Sequence, residues 1–97
     1  MKPEFFVFTR CYAKEGQQQS VASTIQEVLG PTRQEAGCST IYAYRSTRDQ
    51  LAFHIHSQWE DEAAFDHHLS LPHTIRFLDA IQALIDRPVD VARAEPL

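Results

Sequence analysis

Apolar residues recur along this chain with two different periods, and the places where the period changes divide it into elements. Phe5-Phe6-Val7-Phe8-Thr9-Arg10-Cys11-Tyr12 is dense in aromatic and β-branched side chains, which fit a pleated surface and lose rotamer freedom in a helix. It predicts a first strand. After Ala13-Lys14-Glu15-Gly16 the spacing lengthens: Val21, Ile25, Val28 and Leu29 fall on one side of a helix running from about Gln17 to Leu29. Gly30-Pro31 is expected to end or kink it, with at most a further turn through Arg33. Proline has no N–H to donate and disfavours helix in the residue before it.

Strand-like segments return at Cys38 to Arg45 and Leu51 to Trp59, joined by the polar turn Ser46 to Gln50, and together they predict a hairpin. In its second strand Phe53, Ile55, Ser57 and Trp59 share one face, and His54, His56 and Gln58 the other. Asp61 is placed to cap a short helix through Leu69, with Glu62 adding negative charge at the positive end. Pro72 suits the first turn of a last helix, whose apolar side carries Ile75, Leu78, Ile81 and Ile85, widened by Phe77 and Leu84. Pro88 to Arg93 alternates and predicts a short closing strand, at a sheet edge because of its proline.

The order β-α-β-β-α-β predicts a ferredoxin-like α+β fold, a four-stranded antiparallel sheet with helices on one face. Yet the first strand is apolar on both sides (Phe5 and Val7 against Phe6 and Phe8), and the second sets Tyr42 and Tyr44 opposite Ile41 and Ala43. The face away from the helices therefore needs a cover too, which a second copy of the sheet would supply. With 97 residues, 43 % hydrophobic and 23 % charged, the composition suits one domain over residues 1–97. A chain this short also gains from burying area against a partner.

Charge and cysteines narrow the function classes. The net charge is −4 and the arginines are scattered singly from Arg10 to Arg93, so no basic run is available for a phosphate backbone and nucleic acid is not expected. No apolar stretch approaches the roughly 20 residues that cross a bilayer, and no signal-like segment opens the chain, so a cytoplasmic protein without membrane contact is expected. Cys11 and Cys38 lack CxxC or zinc-ligand spacing and read as buried free thiols. His54 and His56 share a strand face and could ligate a metal if a third donor came from elsewhere. The stronger expectation puts them in a barrel interior or at a subunit contact, hydrogen-bonded to Tyr42, Tyr44 or Gln58, with no metal.

Several short signals then fall in a fixed order: Glu35-Ala36-Gly37-Cys38 before the second strand, Tyr42 within it, Phe53 six residues ahead of Trp59, Ala63-Ala64-Phe65-Asp66-His67-His68, and Pro72-His73. In that order and spacing the chain resembles the antibiotic biosynthesis monooxygenase family of dimeric α+β barrels, over nearly its whole length. The resemblance implies two ferredoxin-like subunits packed sheet to sheet, each with a small-molecule pocket between sheet and helices. It also implies an activity among cofactor-free oxygenases of phenols or quinols, haem-degrading enzymes, or a relative that handles a small signalling sugar derivative. Two positions depart from the family pattern. Ser57 stands where the family commonly carries a glutamate two residues before the tryptophan, and the chain has no asparagine, which disfavours the haem-degrading subclass and its Asn, Trp and His set.

His68, where the family's recurrent histidine falls, is the expected catalytic residue. Histidine titrates near neutral pH and could take a proton from a phenol or enol, leaving an anion that reacts with oxygen directly, with no metal, flavin or other cofactor. A helix-end histidine can equally bond a backbone carbonyl. Trp59 suits stacking on a planar ligand or simply filling the core. His73, Tyr42, Phe53 and Ser57 complete the expected substrate-binding set. Three functions follow: a cofactor-independent quinol or phenol monooxygenase, an isomerase of a small hydroxycarbonyl compound using His68 and His73, or a non-catalytic small-molecule-binding dimer. An elongated aromatic cavity at His68 favours the first, a compact polar one the second, and a filled core the third.

Overall fold

The computed structural model describes residues 4–97 as β1 (Phe5–Tyr12), α1 (Gln18–Arg33), β2 (Cys38–Arg45), β3 (Ala52–Trp59), α2 (Glu62–His68), α3 (Pro72–Gln82) and β4 (Asp90–Ala94). Neighbouring strands are antiparallel in the order β2-β3-β1-β4. This is the ferredoxin-like α+β arrangement, with its second helical segment broken into α2 and α3. β4 is an edge strand, as its preceding Pro88 requires.

Alternation along the strands sorts the sheet into two faces. Val7 and Cys11 of β1, Ile41 of β2, and Phe53, Ile55, Ser57 and Trp59 of β3 are all buried toward the helices. There they meet Val21 and Ile25 of α1 and Ile81 of α3 in the main core, while Val7, Trp59 and Phe65 of α2 form a second, smaller cluster. On the opposite face Phe8, Tyr42 and Tyr44 are 42 %, 53 % and 51 % exposed. His56 lies edge-on to Phe8 at 5.0 Å and to Tyr44 at 5.5 Å.

Helix α1 does not stop at Leu29. It continues through Pro31 to Arg33 because burial outweighs local propensity: Thr32 is fully buried on the stripe of Val21, Ile25 and Val28, and its Oγ1 donates to the Val28 carbonyl at 2.7 Å. Pro31 and Glu27, whose carbonyl loses its helical partner, both face solvent, so water can satisfy the freed oxygen. The inner side of α3 also differs from its apolar pattern. Ile75 is 47 % exposed, whereas Thr74 is buried, its hydroxyl 3.2 Å from His68 Nδ1. Leu84 and Ile85 lie beyond the helix, where Ile85 bridges to Ala13. Cys11 is buried and Cys38 only half-buried; both thiols are free, and burial pushes both up to about 11.

One close approach sets the loop between α1 and β2 against α2. A Cβ on Gly37 would lie 2.5 Å from the Cβ of Ala64, and the Gly37 carbonyl accepts from the Glu60 backbone N–H at 2.9 Å. Gly37→Ala is expected to destabilise the fold by about 1–3 kcal/mol through forced separation of these segments. A lowered urea midpoint at unchanged slope would show it; an unchanged midpoint would mean that the loop yields freely.

Candidate functional site

Three segments converge beside the smaller core cluster. The loop after α1 supplies Glu35, the last residue of α2 is His68, and the first turn of α3 supplies His73 and Thr74. Local chemistry fixes each segment. Asp61 caps α2 by accepting from the Ala64 N–H at 2.9 Å, as its place before the helix predicts. Pro72 starts α3, and Leu69, Ser70 and Leu71 make the turn between the helices with backbone bonds to Phe65, His67 and His68. Arg93 of β4 holds α2 from outside, donating to Glu62 at 2.8 Å and Asp66 at 2.9 Å with its guanidinium 5.0 Å from the Phe65 ring centre.

The Glu35 carboxylate joins the two imidazoles. Its Oε2 lies 2.7 Å from His68 Nδ1 and 2.7 Å from His73 Nε2. With Glu35 ionised, both ring N–H groups donate to one oxygen, which assigns His68 its Nδ1–H tautomer and His73 its Nε2–H tautomer. The opposite ring nitrogens, His68 Nε2 and His73 Nδ1, are then the basic atoms. The side chains of Glu35, His68 and His73 are only 9 %, 11 % and 18 % exposed. Burial pushes the His68 pKa below the usual imidazole value, against the opposing hydrogen bond and charge of Glu35.

Trp59 forms the inner wall. It is 1 % exposed, its ring centre 4.8 Å from that of His68 and 5.6 Å from that of Phe65. Its Nε1–H donates to Ser57 Oγ at 2.9 Å, two residues back on the same strand face. Ser57 thus holds the indole, and the carboxylate beside His68 comes from Glu35 on a different segment. Glu35 was not among the expected site residues: its run Glu35-Ala36-Gly37-Cys38 entered only as part of the ordered set, and nothing local marks that carboxylate as a partner of two histidines.

The expected site residues separate in space. His68, His73, Trp59 and Ser57 lie together. Phe53 is six residues from Trp59 along β3, about 20 Å in an extended strand, and packs in the main core beneath the Arg45 guanidinium at 5.0 Å. Tyr42 belongs to the opposite face of the sheet, because even-numbered residues of β2 share the side of His54 and His56. Open space reaches the cluster at His73. A groove of about 600 Å³ between α1 and α3 is lined in part by Glu27, Pro31, His73, Arg76, Phe77 and Asp79. It is mixed in polarity and not an aromatic cage.

The family model described as antibiotic biosynthesis monooxygenase matches residues 4–80. Among solved structures, PA3566 from Pseudomonas aeruginosa is 25 % identical, with a TM-score of 0.92 over 100 % of this chain and 97 % of that one. Rv0793 from Mycobacterium tuberculosis is 23 % identical, with a TM-score of 0.92 over 97 % and 95 %. An uncharacterized protein of Synechocystis sp., sll1783, is 26 % identical over 66 residues, which are 68 % of this chain and 45 % of that protein. This chain thus spans less than half the length of that relative.

Proposed function

The chain belongs to the antibiotic biosynthesis monooxygenase family, and from that premise we propose that it is an oxygenase of small quinol- or phenol-type substrates whose proton-transfer group is His73, oriented by Glu35 and backed by His68. The observation that carries this is one carboxylate oxygen 2.7 Å from both imidazoles, with only His73 reaching the groove. A carboxylate on one ring nitrogen fixes the tautomer and raises the basicity of the other. His73 Nδ1 takes the hydroxyl proton, and the electron-rich anion passes electrons to dioxygen; one oxygen atom enters the ring and the other leaves as water. The substrate supplies the electrons, so the chemistry needs no flavin or metal. Oxygen uptake with a panel of dihydroxyaromatics tests the proposal: uptake with at least one of them by the wild type supports it, and none across the panel sinks it.

The groove's mixed lining favours a second reading, isomerisation of a small hydroxycarbonyl compound by the same histidines. Turnover that proceeds at the same rate without oxygen identifies it.

We propose further that the open sheet face packs on a second copy of the chain. Phe8, Tyr42 and Tyr44 leave a large aromatic patch there, with His54 and His56 among them. Arg10 stands opposite His54, and its partner Asp90 is exposed at 3.4 Å. Protonating both histidines adds like charges beside Arg10. Sedimentation is therefore expected to show a dimer at neutral pH that weakens under mildly acidic conditions; a dimer unchanged into mild acid argues against this placement.

A further inference from the structure

We propose that Glu35, His68 and His73 form a binding site for a divalent transition-metal cation of the zinc and cobalt kind. Their donor atoms, Glu35 Oε2, His68 Nδ1 and His73 Nε2, lie within 4.8 Å of one another. They come from three separate segments held together by the fold, and the three side chains are mostly withdrawn from water. Two imidazoles and one carboxylate are a donor set that zinc takes with a further position left open for water or ligand. Among the described residues no other group of three such side chains comes together. His54 and His56, the pair that the sequence offers for this role, have ring centres 6.4 Å apart and no third donor beside them.

A tetrahedral shell with ligands at about 2.1 Å separates their donor atoms by about 3.4 Å. The two 2.7 Å contacts to Glu35 must therefore each open by about 0.7 Å, and the two imidazole nitrogens, which lie within 4.8 Å of each other, must close toward the same separation through side-chain rotation. Each imidazole frees its donor atom by shifting to its other neutral tautomer. The cation then occupies the lone pairs that otherwise hold the shared protons. Metal occupancy and proton transfer at this cluster exclude each other, so the cation acts as an inhibitor of chemistry there and not as its cofactor.

The experiment is a titration of the chelator-treated full chain with cobalt(II), followed by visible absorption. One equivalent is expected to produce d–d bands, one equivalent of zinc to abolish them, and zinc to raise Tm, because a ligand that binds only the folded state stabilises it. Glu35→Gln and His73→Ala are expected to lose both the bands and the Tm shift, while the double variant His54→Ala, His56→Ala keeps them. Glu35→Gln, which preserves shape, decides the matter if His73→Ala does not fold. The proposal is overturned by absence of bands in the wild type, by their persistence in folded Glu35→Gln, or by their loss in the sheet-face double variant. Absorbance reads the bound cation directly, so the outcome is independent of any oxygenase activity.

Discussion

Replacing Trp59 by alanine should lower the stability of the folded chain by about 3–5 kcal/mol, the range for removing a large aromatic from a packed core. The indole is 1 % exposed and forms the centre of the smaller cluster, touching Phe65, His68 and Val7. For a domain of this size, whose whole stability is about 5–15 kcal/mol, that loss is a large fraction. Ser57→Ala is expected to cost less, about 1–3 kcal/mol, by leaving the buried indole N–H without its acceptor. Urea unfolding of both variants checks the order. If Trp59→Ala loses under about 1 kcal/mol, the indole is not a core element, and a ligand-stacking role becomes the better account of it.

The second large effect is on turnover. With an oxidisable substrate in hand, His73→Ala should cut kcat about 10²–10⁴-fold, the usual contribution of a positioned general base. Glu35→Gln should fall in the same direction but less far, because the amide keeps one acceptor oxygen while losing the charge that stabilises the protonated imidazole. His68→Ala removes the second N–H on that oxygen and leaves His73 in the groove. Its loss should be the smallest of the three. An order with His68→Ala most damaging and His73→Ala nearly neutral would return the base to His68 and require a path to it other than the α1–α3 groove.

The strands were largely legible because dense aromatic and β-branched runs mark β1 and β2, and alternation in β3 encodes which face is buried. Helix ends and inner faces were less so. The continuation of α1 past Pro31 depends on the burial of Thr32 by distant segments, and Thr74 turns inward because its hydroxyl has His68 to meet. Neither is a property of the residue's own neighbours in sequence. Tyr42 and Phe53 illustrate the same limit at the site. Their places in the ordered set put them near Trp59, but strand parity sends Tyr42 to the other face and strand length carries Phe53 away.

The sequence alone determined the β-α-β-β-α-β order and the two-faced sheet, since both are written in local periodicity and capping residues, whereas the pairing of His68 with Trp59 was what the family resemblance implied. Only the tertiary structure decided that Glu35 stands between His68 and His73, 33 and 38 residues away along the chain, and that the groove opens at His73 and not over Trp59. The physical reason is that a hydrogen-bonded cluster depends on where separate elements meet, and that meeting is fixed by packing: Gly37 against Ala64, Thr32 in the core, and the short turn that brings α3 back beside α2.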